Sequence, residues 1–112
     1  MPGPRVEFLW WEECPSWERA LAELDAAMRD SGLDPDSIVR TRIASEADAE
    51  RLSFPGSPTI RVDGEDIAGT PPEGEPTGLV CRVYRRSDGR VSPLPDQGDV
   101  RAALERAVSR PG

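Results

Sequence analysis

Val6-Glu7-Phe8-Leu9-Trp10-Trp11-Glu12-Glu13-Cys14-Pro15-Ser16-Trp17 joins an apolar run to a helical pattern through two acids, a cysteine and a proline. Residues Arg5 to Trp11 read as a strand. Val6, Phe8, Leu9, Trp10 and Trp11 make it apolar on both faces, as a central parallel strand covered on both sides requires. Pro15 suits the first position of a helix, where its fixed φ fits and its missing N–H has no partner to lose. Cys14 then falls at or next to the N-cap, where unpaired N–H groups and the helix dipole favour negative charge. A thiol so placed has a lowered pKa and becomes a better nucleophile or soft-metal ligand.

Outward from this junction, a helix is predicted from Pro15 to Asp30, with Trp17, Leu21, Leu24 and Met28 at helical spacing. Gly32 is its C′ stop. Leu33 to Asp36 is a turn. Ser37 to Ala44 alternates as a second strand with one wet face. Ser45 caps a short helix, Glu46 to Ser53, with Asp48 at the third helical position as an acidic variant of the capping box. Phe54-Pro55-Gly56-Ser57-Pro58 leads into a β-branched strand, Thr59 to Val62. The Asp63-Gly64 turn then predicts an antiparallel partner, Glu65 to Ala68. Gly69 to Gly78 is a loop by its proline, glycine and glutamate content. Leu79 to Arg85 alternates again, Ser87-Asp88-Gly89-Arg90 is a turn signal, and Val91 to Leu94 is a returning strand. Asp99 opens a last helix to Val108.

Composition sets limits. The 112 residues fit one domain, 1–112. The net charge of −7 argues against nucleic acid and anionic membrane surfaces. No stretch approaches the length of a membrane span. The N-terminus carries no signal-peptide pattern, so a cytoplasmic protein with reduced thiols is expected. The absence of histidine excludes Ser-His-Asp and Cys-His catalysis and His-ligated metals. The absence of lysine excludes Schiff-base chemistry and a P-loop. Cys14 and Cys81 are the two cysteines, too few for a four-thiolate zinc site within one chain. No cofactor is expected.

The element order β-α-β-α-β-β, with Cys14-Pro15 at the first strand–helix junction and Ser57-Pro58-Thr59 before the third strand, resembles the thioredoxin-like fold. In that family a cis proline precedes the third strand and lies against the cysteine that starts the first helix. The chain is more closely similar to small bacterial thioredoxin-like proteins with a Cys-Pro-x-Trp … Gly-Ser-Pro-Thr … Cys-Arg-x-Tyr pattern, some labelled alkylmercury lyase. The resemblance covers nearly the whole chain except roughly Thr70 to Pro95. It implies a three-layer α/β/α domain with a mixed sheet and an inserted loop and β segment before the C-terminal helix. It also implies Cys14 as nucleophile and Pro58 as the cis proline. Ser57, Pro15 and Trp17 are candidates for contact with a substrate, and a cis bond would expose the Ser57 backbone for strand-like pairing with it. The chain departs from the dithiol motif Cys-x-x-Cys: the helix carries Cys14-Pro15-Ser16-Trp17, without a resolving cysteine.

The residues leave several readings open. Cys81 is either a small buried core residue on the Leu79–Val83 alternation or the partner of Cys14. Glu12 and Glu13 oppose a low Cys14 pKa, since negative neighbours raise it. Trp10, Trp11 and Trp17 read as core and site wall. Three functions follow. One is a thiol-dependent redox protein in which Cys14 attacks a protein or small-molecule disulfide, resolved by Cys81 or an external thiol. One is a soft-metal or organomercurial-handling protein using Cys14 and Cys81, with Glu12, Glu13 or Asp66 as candidate acids. One is a non-catalytic thioredoxin-like binding domain. Each is compatible with a monomer or a homodimer.

Overall fold

The structure, a computed structural model, describes residues 4–69, 76–85 and 88–109. Strand β1 (Val6–Trp10) serves both faces of the sheet, because successive side chains of a strand point to opposite sides. Val6, Phe8 and Trp10 go to one core and Leu9 to the other. Strand β2 (Val39–Arg42) pairs parallel to β1, with Glu7 opposite Val39. Strand β3 (Thr59–Val62) pairs antiparallel on the other side, with Phe8 opposite Ile60. Strand β4 (Glu65–Asp66) continues antiparallel from the Asp63–Gly64 turn, giving the mixed order β2-β1-β3-β4. β1 is therefore central, as its apolar run demands, but parallel to only one neighbour.

Helix α1 (Trp17–Asp30) buries Ala20, Leu24, Ala27 and Met28 on the first core. It ends where expected. Gly32 has φ +76°, its N–H bonds Arg29 O, and Leu33 N–H bonds Met28 O at 2.8 Å, a Schellman closure. Helix α3 (Gln97–Ser109) packs beside α1 and adds Val100, Ala103 and Leu104 to the same core. Helix α2 (Glu46–Arg51) lies with the opposite core, formed by Leu9, Ile43, Ala49 and Phe54. Helices thus flank the sheet on both sides. Ile38 and Ile43, of opposite parity, anchor the two ends of β2 in different cores, while Val39, Arg40 and Arg42 between them are exposed. None of the described helices is long and apolar enough to cross a membrane.

Ser45 caps α2 as its position predicts, accepting Asp48 N–H at 3.1 Å. Ser45→Ala is expected to lower stability by about 1 kcal/mol, the usual worth of such a cap, read as a shift in urea midpoint at constant slope. At the other end of α2, Arg61 donates to Leu52 O and Ser53 O at 2.9 and 3.1 Å. These two bonds satisfy carbonyls that a helix leaves open.

Several boundaries differ from expectation. The helix begins at Trp17 with Ser16 as N-cap, so Pro15 precedes the cap and Cys14 lies two residues before it. Ser37 closes a 3-10 turn, Pro35–Ser37, instead of opening β2. The alternation at Leu79–Arg85 yields only β5 (Tyr84–Arg85), paired antiparallel with β6 (Val91–Ser92). Residues 79–83 follow the loop before β3 instead, paired through Ser57. The last helix starts at Gln97 because Asp96, not Asp99, accepts the first free N–H groups, from Gly98 at 2.7 Å and Asp99 at 3.3 Å. The loop reading of residues 70–75 and the turn position of Ser87 lie outside the described residues.

Candidate functional site

The site lies where the end of β1, the start of α1 and the loop before β3 meet. Cys14 N–H bonds Trp11 O at 3.0 Å, closing a turn just before α1. The Ser16 hydroxyl does not cap the helix; it sits 3.2 Å from the Cys14 Sγ. Opposite, the Ser57–Pro58 peptide is cis, directly before β3. Trp11 N–H donates to Ser57 Oγ at 2.9 Å, which leaves the Ser57 hydroxyl proton free to face the sulfur. As a thiol, Cys14 donates to Ser57 O at 3.5 Å.

The Ser57 backbone is not open to a substrate, contrary to what a cis bond here suggests. Its N–H bonds Val80 O and its carbonyl accepts Arg82 N–H, both at 2.8 Å, a parallel bridge that sets Cys81 against Ser57. Gly78 N–H bonds Phe54 O at 3.2 Å and Leu79 N–H reaches Glu46 Oε1 at 3.4 Å, so the strip is tied along its length. This pairing draws residues 79–83 away from the β5–β6 hairpin. Of the two readings of Cys81, the buried core residue is excluded: Cys81 is exposed, and Cys14 is the buried one at 2%.

Arg82 locks the strip down. Its guanidinium grips Asp66 at 2.7 and 3.1 Å, with side-chain exposures of 13% and 6%, and reaches Thr59 Oγ1 at 3.3 Å. It also stacks 4.6 Å over the Tyr84 ring. The buried Tyr84 hydroxyl donates to Pro58 O, and burial pushes its phenol pKa upward. Gly56 permits the closest approach. Its φ is +149°, and a Cβ there would stand 3.1 Å from Arg82 Cβ and 3.2 Å from Arg82 Cα and N.

The two thiols, both free, influence each other directly. Desolvation raises the Cys14 pKa, but hydrogen bonds from the Ser16 and Ser57 side chains, the Ser16 backbone and the Cys81 thiol outweigh it, and the net shift is downward. Desolvation raises Cys81, and Cys14 raises it further. The pair therefore titrates in two steps, one on each side of the ordinary thiol value. Thiolate ultraviolet absorbance against pH should show the first step below that value and the second above it. Ser57→Ala removes a donor to the thiolate and should move the first step upward.

Glu12 and Glu13 do not act as the sequence suggests. Both are exposed, Glu12 pairs with Arg42 at 3.2 Å, and neither contributes to the Cys14 shift. Asp66, a candidate acid, is held by Arg82. Trp17 stacks on Trp10, ring centroids 5.3 Å apart, at the margin of the first core, and Pro15 is exposed. Ser16, Gly56, Arg82 and Tyr84 were not singled out from the sequence for roles at the site. The Gly56-Ser57-Pro58-Thr59 and Cys81-Arg82-x-Tyr84 patterns of the resemblance marked three of them. Among the described residues no group of three or more His, Cys, Asp or Glu side chains could hold a metal ion. No family model matches the chain, no curated protein matches it, and no solved structure matches it.

Proposed function

We propose that this is a thioredoxin-like, thiol-dependent redox protein that works through Cys14 and Cys81 on protein or small-molecule disulfides. The observation that carries the proposal is that Cys81 is bridged to Ser57, the residue whose carbonyl accepts from the Cys14 thiol, beside the cis Ser57–Pro58 peptide, and that each free thiol shifts the other's pKa. The α/β layers and the mixed sheet are compatible with it. In exchange, one protein thiolate attacks a substrate sulfur, a mixed disulfide forms and a substrate thiolate leaves. The second protein thiolate then displaces the remaining substrate half, and the protein is left as the intramolecular disulfide. Cys14 supplies the stabilised thiolate; Cys81 supplies the second sulfur within its reach. Reduction of insulin or of a glutathione mixed disulfide tests this. Cys14→Ser should abolish turnover, and full activity in that variant would contradict the proposal.

A second reading draws on the same pair of thiols. Two thiolates without a third donor suit a thiophilic ion such as Hg²⁺, which accepts soft ligands in low number. Titration with Hg²⁺ should then protect both sulfurs from a thiol reagent. Sulfurs that stay reactive would exclude it.

A further inference from the structure

Access separates the two sulfurs. Cys14 is 2% exposed, and the 78–82 strip is tied to the loop that supplies its Ser57 partner. The ties are the two backbone bonds of Ser57 to Val80 and Arg82, and the Arg82–Asp66 pair. An outside molecule therefore does not reach Cys14 without local movement of the site. Cys81, held in register with Ser57 by the strip, is exposed. Val80 and Val83 on the same strip are also exposed, at 51% and 63%.

We propose that outside disulfides and thiols engage this protein at Cys81, and that Cys14 acts only within the molecule, by displacing the outside group from Cys81. The proposal rests on the redox reading and reverses the order that the helix-junction cysteine suggests. In the first step the Cys81 thiolate attacks one sulfur of R–S–S–R. The Cys81–S–S–R bond forms, the substrate S–S bond breaks, and RS⁻ leaves. In the second step the Cys14 thiolate attacks the Cys81 sulfur, the Cys14–Cys81 disulfide forms, and the second RS⁻ leaves. The two protein thiols are oxidised, one substrate disulfide is reduced to two thiols, and the protein's two protons pass to the released thiolates or to solvent. In reverse, an outside thiolate attacks the exposed Cys81 sulfur and Cys14 departs as a thiolate. The lowered pKa of Cys14 suits a leaving group, and the raised pKa of Cys81 gives a scarcer but more nucleophilic thiolate.

The test uses 5,5′-dithiobis(2-nitrobenzoate) on the reduced, folded full chain. Cys14→Ser should release one thionitrobenzoate and keep the other group on Cys81. Cys81→Ser should react at least about tenfold more slowly, since its remaining thiol waits on a local opening, and should reach full rate in denaturant. Wild type should release two thionitrobenzoates per chain and end with its sulfurs joined. If Cys14 in Cys81→Ser reacts as fast as Cys81 in Cys14→Ser, the order of attack is wrong, whatever the fate of the redox proposal. If wild type ends with two separate adducts, the displacement step fails, and the redox proposal fails with it.

Discussion

Replacing Arg82 with alanine is expected to lower stability by about 3–5 kcal/mol, the cost of removing one partner of a buried ion pair. The mechanism is the charge left behind. Asp66 has a side-chain exposure of 6% and receives two guanidinium N–H bonds from Arg82. Alanine leaves that carboxylate desolvated without its cation and removes the guanidinium from the Tyr84 ring face. Urea denaturation of the reduced protein would measure the loss. The double variant Arg82→Ala/Asp66→Ala should recover a large part of it, because two neighbouring groups that share one interaction do not contribute additively. Arg82→Lys should fall between, since an ammonium restores charge but not the two-pronged geometry. A loss below about 1 kcal/mol would mean that the pair behaves as a solvated surface bridge.

Gly56→Ala is expected to cost about 2–6 kcal/mol and to uncouple the two sulfurs. Two effects combine: a positive φ of +149° that a residue with a Cβ rarely adopts, worth about 1–3 kcal/mol, and overpacking worth about 1–3. The overpacked atoms belong to the backbone and Cβ of Arg82, which cannot swing aside as a side-chain tip would. Relief comes by lifting Arg82 from Ser57, and that carries Cys81 away from Cys14. The two thiolate titration steps should then draw together, both sulfurs moving toward the ordinary thiol value. Gly32→Ala is the control. It has a positive φ but no atom within 4 Å of its added Cβ, so it should destabilise without altering the thiol titration.

Local patterns in the chain reported the skeleton well. The doubly apolar Val6–Trp10 run, the helical spacing from Trp17 to Met28, Ser45 with Asp48, and the Asp63-Gly64 turn each specify their element by short-range physics. The opening of α1 was legible only to within two residues, because Ser16 turns its hydroxyl to the sulfur and leaves the helix without a side-chain cap. Cys81 was the harder case. Its alternation with Leu79 and Val83 imitates a core strand. Long-range pairing with Ser57 and the Arg82–Asp66 bond instead hold residues 79–83 out of one. No window of neighbouring residues carries that information. The surroundings of Cys14 are equally non-local, because its partner Ser57 lies 43 residues away in the chain.

The most direct test of the two-thiol account is the state of the sulfurs after equilibration of the native protein in a glutathione redox buffer, acid quenching and peptide mapping of the monomer. The account predicts a single linked species joining the peptides of Cys14 and Cys81, formed within one chain and absent from either cysteine-to-serine variant. Cysteines that stay free, or that carry glutathione separately at every buffer ratio, would contradict it.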